Sequence, residues 1–274
     1  MSLELKSGRA PQPGAAKGTQ AVRRAIRILK AFDADRPTWE IGDLAEELAL
    51  ARPTVARIIG ALEDEGMLVR SEGNRFTLGP ELIVLGTLAL RRTSLGATAR
   101  PFLVELSEQI GEAVTLEVPF IPMSHGVPNM LVIEELGGRH LLGVRPFVGR
   151  RLPIHATSTG HAFLACIEDE KLEAILPPLL ERFTERTLVE RQELFERLGR
   201  VRKQGFAFVD QELETGLVAI AAPIVDGSGN GKAAISLHWP VVRFDRQKLA
   251  EFGSIVRSAA MAISKQFGFD SVQP

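Results

Sequence analysis

The sequence predicts an α+β fold in two domains joined by a helix, and three observations carry that prediction. Residues 41–79, IGDLAEELALARPTVARIIGALEDEGMLVRSEGNRFTLG, read as two short helices with a tight joint and then a two-stranded hairpin, a winged helix-turn-helix. Behind Pro80, ELIVLGTLALRR reads as a helix that is apolar on more than one side. From residue 95 onward helical and strand-like stretches alternate, and 274 residues suffice for two separate cores.

Taken in order, residues 1–18 are rich in Gly, Pro and Ala, lack periodicity and read as a disordered tail. The first domain spans 19–79. Its first helix starts at Thr19, with Val22, Ala25, Ile26 and Leu29 as the packing stripe and Arg23, Arg24 and Arg27 on a solvated face. Trp39 reads as a packing residue. The helix from Ile41 buries Leu44, Ala45 and Leu48 and turns Asp43, Glu46 and Glu47 to water.

In the second helix of the pair, Val55, Ile58, Ile59 and Leu62 recur at i, i+3, i+4 and i+7, the stripe of a helix packed on one side. Pro53 suits the first turn, where its fixed φ fits and its missing N–H costs nothing. Pro53, Ala56, Arg57 and Gly60 lie on the opposite face. Three small residues and one guanidinium allow close approach and offer a bidentate donor, which is what a DNA major groove takes. Arg52 and Thr54 join Arg57 at the leading end, where backbone N–H groups face phosphate. Gly66 is the expected helix stop. In the hairpin beyond it, Arg70, Asn74 and Arg75 are placed for backbone or minor-groove contacts.

The segment 80–94 is the expected linker helix, and an apolar surface all round it calls for a second copy of the chain. A homodimer or tetramer would present paired recognition helices to a near-palindromic double-stranded DNA operator. Overall charge does not bear on this, because 33 Lys and Arg stand against 34 Asp and Glu. A lone cysteine, Cys166, excludes an intramolecular disulfide and a cysteine-based zinc site. No segment has the roughly 20 apolar residues of a membrane span, so the expected location is the cytoplasm, with no membrane partner.

The second domain is expected over 95–270. A helix over Leu95–Ile110 packs through Ala99, Phe102, Leu103 and Leu106; AVTLEVPFI and NMLVIEEL read as strands around the loop PMSHGVPN, and Leu141–Val144 as a further strand. In LPIHATSTGHAFLACI, Thr157, Ser158, Thr159 and Gly160 gather hydroxyls and N–H groups at a helix start, either an ordinary N-cap or a seat for a carboxylate. Two charged surface helices follow, then a strand ending near Asp210 and Glu212. Two more strands flank GSGNG, which precedes a strand and so reads as a hairpin turn rather than a phosphate loop. A helix over Arg243–Phe267 closes the domain.

The segments AVRRAIRILKAF, LARPTVARIIGALEDEGML, NRFTLGPELIVLG, GRRLPIHATSTGHAFLA and QGFAFVDQELETGLVAIAAPIVDGSGNGKAAISL occur in the order and spacing of one family. Over residues 20–268 the chain resembles the IclR family of bacterial transcriptional regulators. The resemblance implies a winged helix-turn-helix, a linker helix and a GAF-like α/β effector-binding domain, assembled as dimers or tetramers. It also implies that the 157–160 stretch lines the effector pocket and that Asp210 and Glu212 are the family's acidic pair. Four positions depart from the pattern: Pro53 replaces the first residue of a Ser-Thr pair, Ala56 a frequent His, His161 a frequent Lys, and Ala219 a Cys or Ser. Ala219 implies a less polar pocket floor suited to an organic acid with an apolar or aromatic body, with Ser236 and Asp210 as polar anchors. His161 implies a weaker or pH-dependent charge.

An enzymatic reading is disfavoured. Ser158 beside His155 or His161 has no Gly-x-Ser-x-Gly elbow and no acid partner, no His-x-x-x-His pair marks a metal, and no cofactor motif is present. The expected function is a DNA-binding regulator of metabolic genes that responds to a small organic acid. The alternative is a sensor module of the same fold without gene control.

Overall fold

The first unit's core is set by the facing stripes of three short helices. The computed structural model describes residues 17–33, 35–91, 94–121, 127–140 and 148–269, and the chain divides into two compact units, Met1–Thr93 and Ser94–Pro274. In the first unit, helices α1 (Lys17–Leu29), α2 (Ile41–Glu47) and α3 (Arg52–Asp64) precede the antiparallel strands β1 (Leu68–Ser71) and β2 (Arg75–Leu78). Ile28, Phe32, Leu44, Val55, Ile59 and Phe76 interlock in the centre. Helix α3 ends before Gly66, which takes a left-handed φ of 67°.

Trp39 is buried. It exchanges two backbone hydrogen bonds with Phe76 of the wing, donates Nε1–H to the Ala31 carbonyl at 3.0 Å, and carries the Arg36 guanidinium 3.3 Å above its ring. Thus the wing, the loop and the end of α1 form one body. In α1 the expected stripe is corrected. Val22 and Ile26 are exposed, and Ala25, Ile28 and Leu29 face the core. The helix has two apolar edges, and the continuation through Ile28 to Phe32 decides which is used. It also begins at Lys17, two residues inside the expected tail, whose residues 1–16 lie outside those described.

Helix α4 (Pro80–Arg91) follows directly, with Ile83, Val84, Leu85 and Leu88 exposed.

The second unit is built on a six-stranded antiparallel sheet in the order β5-β4-β3-β8-β7-β6, comprising β3 (Ala113–Phe120), β4 (Asn129–Leu136), β5 (Arg151–Pro153), β6 (Ala207–Asp210), β7 (Leu217–Val225) and β8 (Gly231–Pro240). Its central strands are buried on both faces, which explains their near-continuous apolar runs. One face carries Val114, Leu116, Val218, Ile220, Ile235, Leu237 and Trp239 against α5 (Leu95–Ile110) and α9 (Leu249–Lys265). There Trp239 packs against Phe244 and Phe252. The other face meets α6 (Ser158–Leu164) and, around it, α7 (Asp169–Ile175) and α8 (Arg191–Gln204). The turn at 226–230 closes β7 onto β8, as GSGNG predicts. The strand expected at Leu141–Val144, and residues 122–126 of the loop after β3, lie outside the described residues.

Helix α6 comes unusually close to the chain leading into it. A Cβ added at Gly160 would stand 1.9 Å from the Ile154 carbonyl oxygen. Gly160→Ala is therefore expected to cost about 2 kcal/mol or more, whereas Gly199→Ala in α8, where nothing lies within 4 Å, should gain about 0.5–1 kcal/mol from helix propensity. Chemical denaturation of the two variants checks the contrast.

Candidate functional site

Two surfaces carry chemistry, one in each unit. On α3, Arg52, Pro53, Ala56 and Arg57 are exposed and Thr54 half-buried, while Val55, Ile58 and Ile59 hold the helix from behind. The Arg52 guanidinium rests beside Gly42 of α2; a Cβ there would stand 3.3 Å from Nη2. Arg57 is exposed on the side of α3 away from its buried stripe. On the wing, Arg70 donates to Asn74 Oδ1 at 2.8 Å, approaches Glu63 at 3.4 Å and lies 5.0 Å above the Phe76 ring. Arg75 approaches Glu40 at 3.5 Å. These exposed pairs are weak, so a phosphate can replace the carboxylates at small cost.

In the second unit a small cavity lies between the sheet and α6. Its space is narrow, about 20 Å³ for the centre of a water-sized sphere. Thr157, Ser158 and Thr159 from the start of α6 line it, together with Ala156 and Ala219; Leu152, Val209, Leu213 and Leu217 supply apolar walls. Its remaining lining residues are Glu117 of β3 and His238 of β8, both buried. Strand alternation explains the pair: Leu116 and Leu237 point to the α5/α9 face, so Thr115, Glu117, Ser236 and His238 point to the α6 face.

The hydroxyl protons of this floor are committed to the protein. Thr115 Oγ1 donates to Glu117 Oε1 at 2.9 Å and Thr159 Oγ1 to Oε2 at 2.5 Å. Thr157 donates to the Pro153 carbonyl and accepts from Gly160 N at 3.2 Å. Ser236 donates to the Ile220 carbonyl at 3.1 Å, which leaves Ser158, 3.0 Å away, to donate to Ser236. His238 Nε2 lies 3.0 Å from Thr115 Oγ1; since that hydroxyl's proton goes to Glu117, the ring nitrogen is the donor.

Burial raises the Glu117 carboxyl to about 7, against the opposing pull of its two threonines, and nearby Glu135 adds to the rise. Burial lowers His238 to about 4. None of the described lining residues is thus a cation at neutral pH.

Several expected positions fall elsewhere. Gly160 serves the close approach of α6, and Ser236 sits behind Ser158 rather than on the cavity wall. Asp210 is not a pocket anchor. Val209 faces the cavity, so the next residue of β6 points away, where Arg186 and Arg246 pair with it. Glu212 is buried against Arg197 at 3.0 Å, and burial lifts its carboxyl to about 7. His161 supplies no charge. It is fully buried, its Nε2 lies 2.7 Å from the His155 backbone oxygen, and burial lowers it to about 3. Ser158 pairs with Ser236, and His155 Nε2 with the Glu181 carbonyl at 2.9 Å, so no serine–histidine couple forms between them. Among the described residues no group of His, Cys, Asp and Glu is placed to hold a metal, and no helix is long and apolar enough to cross a membrane.

Glu117 and His238 were not singled out from the sequence. The signal was there: a Glu in the middle of an apolar strand, AVTLEVPF, breaks the pattern and must be satisfied by something facing it.

A winged helix-turn-helix in one unit and a cavity with a buried polar floor in the other are the features of a ligand-responsive DNA-binding protein. The comparisons with known proteins specify it. Residues 21–72 match the IclR helix-turn-helix domain and residues 87–265 the bacterial transcriptional regulator IclR C-terminal domain. The chain belongs to the IclR family of transcriptional regulators. It is 29% identical over 272 residues to the transcriptional repressor IclR of Escherichia coli, covering 97% of each chain. It is 32% identical over 232 residues to the Pca regulon regulatory protein of Pseudomonas putida, covering 84% of this chain and 78% of that one. Among solved structures, an IclR homolog from Microbacterium hydrocarbonoxydans complexed with 4-hydroxybenzoate superposes with a TM-score of 0.77 at 26% identity, covering 90% of this chain and 98% of that one.

Glu117 makes a pH prediction. A carboxyl whose folded value lies above its ordinary 4.5 binds more protons folded than unfolded, so its contribution is complete below about 4.5 and is lost as pH rises through 7. Glu117→Gln should therefore raise the thermal midpoint at pH 8 relative to wild type by more than it does at pH 5. Scanning calorimetry at the two pH values reads the difference directly.

Proposed function

We propose that this regulator binds a near-palindromic operator through α3 and the wing, acts in the cytoplasm as a homodimer or tetramer, and changes operator affinity when a small organic acid occupies the cavity beneath α6. The observation that carries the DNA reading is the bare leading face of α3. Arg52, Pro53, Ala56 and Arg57 are exposed on it, with Thr54 half-buried among them. Arg57 is the base-reading or phosphate-clamping guanidinium, and Arg70, Asn74 and Arg75 hold the adjoining backbone.

Effector binding rests on a cavity with apolar walls and a buried polar floor, the usual form of a small-molecule site. The 4-hydroxybenzoate seen in the Microbacterium homolog favours an aromatic acid. Thr157, Ser158, Thr159 and Ala219 touch the ligand, whereas the strap that follows β6 is tied down by Asp210 through Arg186 and Arg246, by Glu212 through Arg197, and by Thr184 and Thr187, which donate to the backbone oxygens of Gln211 and Glu212. An effector larger than the present cavity must move that strap, and this gives the two states different affinities for it.

Association rests on α4. Ile83, Val84, Leu85 and Leu88 are exposed together, an apolar face that a second copy covers.

Two measurements test the reading. Arg57→Ala should weaken binding to a duplex from the regulator's own upstream region by about 10- to 100-fold and flatten the salt dependence; anisotropy at two salt concentrations reads both, and unchanged affinity sinks the assignment. Ile83→Glu together with Leu88→Glu should halve the mass in light scattering at unchanged helix content. Retention of the wild-type mass would remove α4 from the interface.

A further inference from the structure

Among the described side chains around the cavity, the surplus hydrogen-bonding capacity is all of one kind. Each floor hydroxyl has spent its proton, on Pro153, Ser236 or Glu117, and the His238 ring spends its Nε2–H on Thr115. Ionised above its raised value of about 7, Glu117 accepts two hydrogen bonds from the described residues where a carboxylate has room for about four. Among the described residues no Lys or Arg lines the space. A ligand reaching Glu117 meets side-chain acceptors and no cation among the described residues, and an effector carboxylate placed against Glu117 would face a carboxyl instead of a partner.

From this the geometry points to a hydroxylated organic acid as effector, with Glu117 as the residue that reads the hydroxyl and the carboxylate directed away from it. The inference rests on the effector reading above and narrows it. The hydroxyl donates into an open lone pair of Glu117 while Leu152, Val209, Leu213 and Leu217 enclose the apolar body between the two ends. A hydroxyl suits the site better than an ammonium, because an ammonium must be stripped of water and meet three acceptors at once, a penalty that a neutral donor escapes. Specificity follows from the same asymmetry. The analogue without the hydroxyl leaves a desolvated carboxylate under-satisfied, and that discriminates more strongly than any loss of apolar contact.

The test is calorimetric titration of the full-length protein at pH 8, where Glu117 is ionised, with matched acids: 4-hydroxybenzoate against benzoate, 3-hydroxybutanoate against butanoate, and 4-(aminomethyl)benzoate as the ammonium probe. In the wild type at least one hydroxylated acid should bind about 10- to 100-fold more tightly than its partner. In Glu117→Ala that ratio should fall to about 3-fold or less, leaving only contacts common to both acids. Glu117→Gln, nearly isosteric and with one acceptor oxygen, should lie between them, and its thermal midpoint at pH 5 shows that the fold is intact. Equal binding within each pair, a preference for the ammonium probe, or a ratio that survives in Glu117→Ala would overturn the inference while leaving the effector site standing. Failure of every acid to bind, by protein that still binds its operator, would overturn both.

Discussion

A sheet buried on both faces has to find partners for whatever polar groups its alternation turns inward, and that constraint shapes the second unit. The outer face of the problem is simple: Val114, Leu116, Ile220, Ile235 and Leu237 meet α5 and α9, and burial of apolar area suffices. On the inner face Thr115, Glu117, Ser236 and His238 sit where water is excluded. Their hydrogen bonds have to come from a helix close enough to reach the strands. Gly160 lets α6 approach, Thr159 then meets Glu117 and Ser158 meets Ser236, and the residual gap between helix and sheet is the cavity. Site and fold are therefore consequences of one packing arrangement.

How far this was legible in the sequence differs between the units. The first is governed by local rules, so Pro53 in a first turn, Gly66 as a stop and the Val55/Ile58/Ile59 stripe translate directly into α3 and its exposed face. Where local rules allow two answers, as for the two apolar edges of α1, packing at Ile28 decides and periodicity does not. In the second unit Thr157, Ser158, Thr159 and Ala219 could be found because they stand in one motif and one hairpin. Glu117 and His238 come from strands far apart in sequence, and only their register across β3 and β8 brings them under α6. Asp210 and Glu212 show the opposite failure. They look like a functional pair in sequence, but β alternation and a left-handed turn at Gln211, φ 61°, send them to other partners.

The DNA-facing surface follows a different economy from the cavity. Its cations are kept in water, tied only by exposed and exchangeable carboxylates such as Glu63 and Glu40. Rigidity there comes from beneath, through Trp39 and Phe76, rather than from the charges. A buried polar floor selects a ligand by what it lacks; a solvated basic face on a stiff support selects by shape and position.

The two tryptophans add an optical consequence. The chain has two Trp and no Tyr, and both indoles are buried, Trp39 beneath the Arg36 guanidinium in the first unit and Trp239 among Phe244 and Phe252 in the second. Each unit thus carries one intrinsic fluorophore of distinct surroundings, one beside a cation and one in an apolar core with aromatic neighbours. Emission from the two single-tryptophan forms separates the unfolding of the units, so the protein reports on each half of itself without an added label.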